Sequence, residues 1–289
     1  MPDIPFDFDV DRYINPFVPA SFVHLLPRPV SWLLGHHEKH RHPIPSPLVW
    51  FWSFLGSFTG ILLIEAVFHT DALRAKGTPI IIGSMGAAAI LEYNTIESPL
   101  AQPRNIVLGQ LFAATIGTGI TKLFHLNSNF ENLRWIAGAL AVGISSAFMG
   151  ITNTVHPPAG ATALLAATSD EITELGWFLL PLVLLGSVLM LAVACVLNNI
   201  QRKFPMYWWT PVDLQQLRKW DVEEGGQARV EEKGGSDYGA TRESHDEFMK
   251  GLGPQFLITG EHIHVPDGIS LDSEEKAMLE ILRSKLQEG

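Results

Sequence analysis

The stretch at residues 151–168 reads Ile-Thr-Asn-Thr-Val-His-Pro-Pro-Ala-Gly-Ala-Thr-Ala-Leu-Leu-Ala-Ala-Thr. His156, Pro157 and Pro158 open a run of small, mostly apolar residues between two long hydrophobic segments. Proline is accommodated in the first turn of a helix, because its missing N–H would have no partner there. The stretch therefore predicts a helix N-terminus at membrane depth, where transporters with broken helices place their substrate sites.

Charge is distributed unevenly along the chain. Hydrophobic residues make up 47% of it and the mean hydropathy is +0.17, but these averages combine two unlike parts. Residues 47–199 carry few charges, whereas the chain beyond Gln201 contains eleven Lys and Arg against seventeen Asp and Glu. The acidic balance argues against a nucleic-acid partner, and the tail has the composition of a solvated segment.

Three regions follow from this distribution. Residues 1–47 form a polar, proline-rich extension without a signal-peptide pattern, residues 48–199 form the membrane domain, and residues 200–289 form an acidic tail. Within the tail, residues 225–253 are rich in Gly and charge, which is typical of a linker or a disordered stretch. Ser273 opens a short amphipathic helix.

Six hydrophobic elements divide the membrane domain. A helix needs about 20 residues at about 1.5 Å each to cross the hydrocarbon core. Four elements are long enough, whereas residues 79–91 and 157–167 are too short and are candidates for broken or re-entrant helices. The sequence therefore predicts an all-α, polytopic transmembrane bundle of four long helices and two short ones. The long helices are expected at residues 48–68, 105–124, 133–151 and 176–198.

The two short elements resemble each other. Residues 85–91 (Met-Gly-Ala-Ala-Ala-Ile-Leu) align with residues 159–165 (Ala-Gly-Ala-Thr-Ala-Leu-Leu), with Gly, Ala, Ala and Leu matched. Each short element lies between two long ones, which is the pattern of an internally repeated transporter fold. The repeats are inverted if the short elements cross the membrane and parallel if they re-enter, and the sequence leaves both open.

Basic residues flank the membrane domain at both ends. Arg28, Lys39 and Arg41 precede the first long helix, and Arg202 and Lys203 follow the last one. By the positive-inside rule, both termini are expected on the cytoplasmic side, which requires an even number of crossings. Four and six crossings both satisfy this condition.

Three ordered blocks of sequence stand out in the membrane domain: Thr78–Ala87, Ser98–Asn105 and Val155–Ala163. They closely resemble the HPP family of integral membrane proteins, named for its His-Pro-Pro motif, and the similarity covers residues 49–199. The resemblance implies a membrane domain, since the family is described as having four transmembrane helices. It also implies nitrite as a substrate, because members in photosynthetic organisms are associated with nitrite transport.

A small anion suits the N-termini of the two short elements. A helix N-terminus carries roughly +0.5 charge and presents unpaired N–H groups. No bulky side chain would keep an anion from the backbone at these turns, and Arg104 could add a positive charge. We expect the two N-termini to converge near the midplane of the bilayer. The candidate substrate-binding residues are His156, Pro157, Pro158, Ala159, Gly160, Ala161, Asn153, Gly83, Ser84, Gly86 and Arg104.

Three of these residues have two interpretations each. An imidazole titrates near physiological pH, so His156 could carry a proton with the anion, or it could start the helix with its ring satisfied by a carbonyl. Asn153 could cap the helix or line a pathway. Arg104 could bind substrate or anchor the chain at the interface.

The sequence predicts an integral, multi-pass membrane transporter or channel for a small inorganic anion such as nitrite, with proton coupling and oligomerisation left open. The alternative is a membrane scaffold whose tail recruits partners. An enzyme is not expected, because no Gly-rich phosphate loop, His-Glu-x-x-His or Gly-x-Ser-x-Gly motif occurs. Neither a cofactor nor a metal site is expected, since Lys39 and Arg41 interrupt the His-rich residues 36–42.

Overall fold

The computed structural model describes residues 9–19, 21–37, 44–211 and 214, together with residues 257–258, 263–264 and 279. Contacts divide the chain into two units, residues 1–223 and 224–289. In the second unit, strand β1 (Leu257–Ile258) pairs antiparallel with strand β2 (Ile263–His264). The predicted linker at 225–253 lies outside the described residues, as does the helix predicted after Ser273 except for Leu279, which is helical.

The described part of the first unit is helical. A π-helical turn at Asn105–Gly109 leads directly into its sixth α-helix, and 3₁₀ turns form at Asn15–Phe17, Val23–Leu25, Pro99–Ala101 and Gly176–Phe178. In chain order the α-helices are α1 (Asp11–Ile14), α2 (Arg28–Leu33), α3 (Ser46–Phe68), α4 (Asp71–Arg74), α5 (Ser84–Tyr93), α6 (Gln110–Phe124), α7 (Phe130–Ile151), α8 (Pro157–Thr168), α9 (Asp170–Leu175) and α10 (Leu179–Gln201).

Four helical segments are long and apolar enough to cross a bilayer, which confirms the predicted all-α membrane bundle. Three of them match the predicted bounds to within a turn. The fourth is longer than predicted, because α9 and a 3₁₀ turn precede α10, and Gly176 breaks the helix with a positive φ of 53°. The segments are Ser46–Phe68, Asn105–Phe124, Phe130–Ile151 and Asp170–Gln201.

The first short element differs from the prediction in its N-terminal bound. We expected a helix from Pro79, but residues 78–83 are not helical and α5 begins at Ser84. The residue before a proline is disfavoured in the α region, and the three β-branched residues Ile80–Ile82 lose rotamer freedom in a helix. The second short element forms as predicted, with α8 beginning at Pro157.

The bundle has two ends, which contacts with α10 define. At the near end, where α10 finishes, Trp52 of α3 donates to Gln201 Oε1 (2.7 Å). Tyr93, the last residue of α5, is also at the near end, because Arg202 donates to its carbonyl (2.8 Å). At the far end, the Lys76 ammonium lies 4.9 Å from the centre of the Phe178 ring, just before α10. The chain thus runs to the far end through α3 and returns through residues 77–93.

The second half of the bundle, formed by α7, α8 and α10, makes the same passes in the opposite directions. Helix α7 begins at the far end and finishes at the near end, where the Thr152 carbonyl accepts a hydrogen bond from Arg104 (2.8 Å). Helix α8 then returns to the far end, where Thr121, near the end of α6, donates to the Ala166 carbonyl (3.1 Å). Each short element therefore carries the chain from one end of the bundle to the other, and the two halves have opposite orientations.

Small residues set the closest helix contacts. A Cβ on Gly117 of α6 would lie 2.9 Å from Ala163 Cα, and a Cβ on Gly138 of α7 would lie 2.9 Å from Leu164 Cδ1. Helices α6, α7 and α8 accordingly pack through a core rich in alanine. In α3, Gly56 and Gly60 face the ring of Tyr93, so this Gly-x-x-x-Gly pattern serves a contact inside the chain.

The N-terminal extension packs against the membrane domain. Trp208 Nε1 donates to the Leu34 carbonyl (3.1 Å), and Asn199 Nδ2 donates to the Leu33 carbonyl (2.9 Å). Asp11, in α1, forms an ion pair with Arg104 (2.7 Å). The described residues between 9 and 37 are therefore part of the first unit rather than a separate extension.

Candidate substrate site

The loop that precedes α8 is held by the residues that precede α6. Asn153 reverses the chain after α7 with a positive φ of 51°, a conformation that Asn adopts more readily than most residues. Arg104 Nη2 donates to the Thr152 carbonyl (2.8 Å), and Asn105 Nδ2 donates to the Val155 carbonyl (2.9 Å). The second and third sequence blocks are therefore in direct contact, although about 50 residues separate them along the chain.

His156 is fully buried immediately before α8. Its Nδ1 lies 3.0 Å from the Leu100 carbonyl, which can only accept, so Nδ1 carries the hydrogen and Nε2 presents a lone pair. No described residue gives Nε2 a hydrogen-bond partner. Gly109 allows this packing, since a Cβ there would lie 2.8 Å from His156 Cβ. One ring nitrogen is thus held by a carbonyl, and the other is left for a ligand or a proton.

The first turn of α8 offers fewer N–H groups than we expected from the sequence. Pro157 and Pro158 have none, and the Ala159 N–H already donates to the His156 carbonyl (2.9 Å). Ala159 is also completely buried, whereas Gly160 and Ala161 are half-buried. Ala159, a candidate substrate-binding residue, therefore has no free N–H group for an anion in this structure.

A polar cluster lies where α5, α6 and α8 meet. The Thr162 hydroxyl is 2.7 Å from Ser84 Oγ and 2.6 Å from Gln110 Oε1, and the three residues are at most 1% exposed. A hydroxyl has one hydrogen, so the consistent arrangement is Ser84 donating to Thr162 and Thr162 donating to Gln110. The Gln110 amide nitrogen has no partner in the described part of the chain. The cluster therefore keeps a buried donor group unpaired.

The two short helices meet through different turns. Ser84 is the first residue of α5, whereas Thr162 lies in the second turn of α8, about 9 Å along the axis from His156. Gln110 follows Gly109, which packs against His156, so α6 links the two places. The N-terminus of α5 thus contacts the middle of α8.

Arg104 is not brought to the polar cluster. Its guanidinium binds both carboxylate oxygens of Asp11 (3.0 and 2.7 Å) and lies 4.3 Å from the centre of the Trp209 ring. Its side chain is 3% exposed and that of Asp11 is 17% exposed. The positive charge is therefore neutralised within the first unit, as the anchoring interpretation of Arg104 requires.

The glycines of the first sequence block lie on an outer face of the bundle. Gly83 and Gly86 are exposed, and the atom nearest to a Cβ on Gly83 would be Leu165 Cδ1 at 3.8 Å. A Cβ on Gly86 or on Gly160 would meet nothing within 4 Å. These positions do not line the buried cluster, and of the first block only Ser84 reaches it.

The sequence alone did not identify Gln110 and Thr162 as site residues. Gln110 is a polar residue within a predicted transmembrane helix, which is a signal that could have been used. Thr162 lies in the third sequence block, but nothing in the sequence indicated its partners. Within the described part of the chain, no three His, Cys, Asp or Glu side chains gather to hold a metal ion.

A cavity of about 680 Å³ lies elsewhere, at the near end. It is lined by the N-terminal extension and by the segment after α10, including His24, His36, Lys203 and Trp208. None of its lining residues belongs to α5, α6 or α8. The polar cluster is therefore closed in this structure and separate from this cavity.

Comparison with known families assigns the chain. Residues 42–205 match the model of the HPP transmembrane region, which covers more than half of the chain and all three sequence blocks. The protein belongs to the HPP family. The contacts among Ser84, Gln110, His156 and Thr162 thus lie within an HPP membrane domain, and the predicted family resemblance is confirmed.

Two relatives of this HPP protein are transmembrane proteins of Dictyostelium discoideum. One is 41% identical over 183 residues, which cover 62% of each chain. The other is 41% identical over 162 residues, which cover 55% of this chain and 50% of the relative. The match therefore spans between half and two thirds of these relatives. No solved structure matches the chain.

Proposed function

We propose that this HPP protein is a membrane transporter for a small monovalent anion of the size of nitrite, and that the cluster of Ser84, Gln110 and Thr162 is its substrate site. The observation that carries the proposal is the unpaired amide nitrogen of Gln110 in a cluster that is buried within a membrane domain. An unsatisfied polar group in such a place is costly, and intramembrane polar groups commonly mark a substrate path.

The chemistry of the cluster favours an anion. The Gln110 amide and the two hydroxyls can all donate, and the cluster lies at the N-terminus of α5, the positive end of the helix dipole. No basic side chain of the described residues joins the cluster, so a singly charged ion suits it better than a phosphate or sulfate. The nitrite transport of photosynthetic family members supports the same size and charge.

The geometry of the two halves supports transport as well. Inverted halves with discontinuous helices are the architecture in which a site between the halves is exposed to one side at a time. The cluster joins α5 of the first half to α8 of the second through Ser84 and Thr162. A relative movement of the halves would therefore open the cluster.

A scaffold without transport activity is the second candidate. It is favoured by Arg104, whose guanidinium is committed to Asp11, Thr152 and Trp209, and by the packing of the His156 ring on Gly109. Those residues then serve architecture alone. The two candidates differ in whether the hydroxyl of Thr162 is needed for flux.

The test is flux through the full chain in liposomes, measured for nitrite, nitrate, formate and chloride. Thr162→Val keeps the shape of the side chain and removes its hydroxyl. We expect the flux of the preferred anion to fall about tenfold, since a hydrogen bond to a charged group contributes about 1.5–3 kcal/mol. Gln110→Leu should have at least the same effect.

Thr121→Val is the matched control, because the Thr121 hydroxyl is also buried but donates to backbone carbonyls at the far end of the bundle. We expect it to leave flux within about twofold of wild type, an effect below 0.5 kcal/mol. Equal losses in both threonine variants would contradict a site at Thr162. No flux of any of the four anions through correctly inserted protein would favour the scaffold.

A further inference from the structure

A carboxyl group is buried near the C-terminus of α5. Glu92 is 1% exposed, and none of the described residues provides a hydrogen-bond partner for its Oε2. Its backbone carbonyl accepts a hydrogen bond from Asn198 Nδ2 (3.0 Å), so the main chain at this position is fixed on α10. The side chain has no such partner and is not used by the polar cluster.

The surroundings of Glu92 contain little charge. Helix α5 packs against α3, α8 and α10. Among the described residues, the titratable side chains that interact electrostatically with Glu92 are Tyr93 on its own helix and Cys195 on α10. Helix α8 carries no acidic or basic residue, and the single acidic residue of α3 is Glu65, near the far end. Arg202, beyond the end of α10, donates to the Tyr93 carbonyl (2.8 Å) and to Asn198.

The Glu92 carboxyl group lies near Cys195 of α10, inside the helical bundle. Cys195 stands six residues before Gln201, the last residue of α10, and so lies about 9 Å inside the near end. An ionised carboxylate at such a place costs several kcal/mol unless a cation or several donors compensate it. No described cation pairs with the Glu92 carboxyl group, so this environment favours its protonated, neutral form over the carboxylate.

Glu92 is also aligned with the polar cluster. Ser84, Ala88 and Glu92 are four residues apart, so they share one face of α5, and all three are buried. Along the helix axis, the Cα of Glu92 lies about 12 Å from that of Ser84. Ala88, which stands between them, has a methyl side chain. A movement of α5 that opens the cluster would therefore also change the environment of Glu92.

We propose that Glu92 is a proton-binding site of the membrane domain and that its carboxyl group carries the proton that accompanies the anion across the bilayer. The proton is taken up from water on one side, held on the carboxyl oxygen while the group is buried, and released to water on the other side. This inference rests on the proposed anion transport. It assigns the proton to Glu92 rather than to His156.

The experiment compares two kinds of flux through the full chain in liposomes, using whichever of nitrite, nitrate, formate and chloride the wild type carries fastest. One is net uptake driven by an inward proton gradient, and the other is exchange of labelled for unlabelled anion at equal pH. In Glu92→Gln we expect gradient-driven uptake to fall at least tenfold, while exchange stays within about twofold. Glu65→Gln, the same substitution at the glutamate of α3, should change neither.

Three results would overturn the proposal while leaving anion transport in place. The first is wild-type uptake that does not depend on the proton gradient. The others are a Glu92→Gln variant that retains gradient-driven uptake and one that loses gradient-driven uptake and exchange to the same extent. Loss of coupling in His156→Gln but not in Glu92→Gln would also overturn it.

A second readout does not depend on flux. Infrared spectra of the wild type at neutral pH should contain the C=O stretch of a protonated carboxyl group, and the difference spectrum against Glu92→Gln should show it missing from the variant. If no anion is carried, the proposed function fails, and this band still decides whether Glu92 holds a proton. Absence of the band from the wild type would overturn the proton site.

Discussion

The two short helices occupy equivalent places in the two halves but are held in different ways. Helix α8 is held before its first turn, where the 152–156 loop is bound by side chains and a carbonyl from the segment ahead of α6. Helix α5 is held at its last turn, where Asn198 and Arg202 bind its carbonyls. Because the halves are inverted, both of these attachments lie at the near end of the bundle.

This difference indicates which side of the domain is closed. Side-chain hydrogen bonds and a buried ion pair fix the near end, whereas the starting residues of α5 are held by the polar cluster and by packing against α10. Regions with fewer buried hydrogen bonds open at lower free energy. We therefore expect the near end to be the more stable part of the bundle and the region around Ser84 the more easily opened.

The largest expected effect comes from the attachment of α8. Arg104→Gln removes the guanidinium that pairs with Asp11 and leaves a carboxylate that is only 17% exposed without its cation. Breaking a buried ion pair costs about 3–5 kcal/mol, and partial exposure of Asp11 places this one near the lower limit, about 3 kcal/mol. Chemical denaturation in detergent, followed by circular dichroism, measures the change.

Arg134→Gln is the matched control for that prediction. Arg134 also pairs with two carboxylates, Glu131 and Asp170, but their side chains are 76% and 81% exposed. Exposed pairs contribute about 0–1 kcal/mol, so this variant should lose less than about 1 kcal/mol. Equal losses in the two variants would remove the distinction between a fixed near end and the rest of the bundle.

A smaller effect is expected where α6 touches the start of α8. In Gly109→Ala, the new Cβ would lie 2.8 Å from both His156 Cβ and the Thr154 carbonyl oxygen, so the loop must move. Overpacking costs about 1–3 kcal/mol. We expect a loss of about 2 kcal/mol in the same denaturation experiment.

Gly160→Ala tests whether this loss is local to the contact. A Cβ on Gly160 meets no atom within 4 Å, and alanine favours a helix over glycine by up to about 1 kcal/mol. The variant should therefore be as stable as the wild type or more so. A loss of stability comparable to that of Gly109→Ala would mean that the outer face of α8 is covered by something other than lipid.

The smallest effect is expected at α5. The Tyr93 hydroxyl donates to the Met190 carbonyl (3.0 Å) in the buried contact with α10. Tyr93→Phe keeps the ring between Gly56 and Gly60 and removes one hydrogen bond, which contributes about 1 kcal/mol. A destabilisation as large as that of Arg104→Gln would contradict the expectation that α5 is held less firmly than α8 at the near end.

Much of the fold could be predicted because it depends on local pattern. The four long apolar segments and the proline-led start of α8 follow from hydrophobic length and from the missing N–H of proline. The start of α5 was harder to predict from the sequence, since the β-branched Ile80–Ile82 are as apolar as the helix that follows them. Crossing and re-entry could not be distinguished, because both have the same hydropathy.

The site was predicted only in part. His156, Ser84 and Asn153 occupy special positions that their motifs indicate, but Arg104 has a partner in Asp11, which is 93 residues away in the sequence. Gly83 and Gly86 of the first block are exposed because of the way in which α5 is rotated in the bundle, and no local sequence pattern specifies that rotation. Gln110 and Glu92 are ordinary polar residues until the neighbouring helices bury them.

The sequence by itself determined the membrane domain, its family, its six apolar elements and the His-Pro-Pro start of α8, because hydrophobic length and proline geometry act within a few turns of the chain. Only the tertiary structure decided that both short elements run from one end of the bundle to the other, that Arg104 is neutralised, and that Ser84, Gln110 and Thr162 form one cluster. These outcomes depend on which polar groups find partners from other helices, and in an apolar bundle unpaired groups such as those of Gln110 and Glu92 are identified only after the helices have packed.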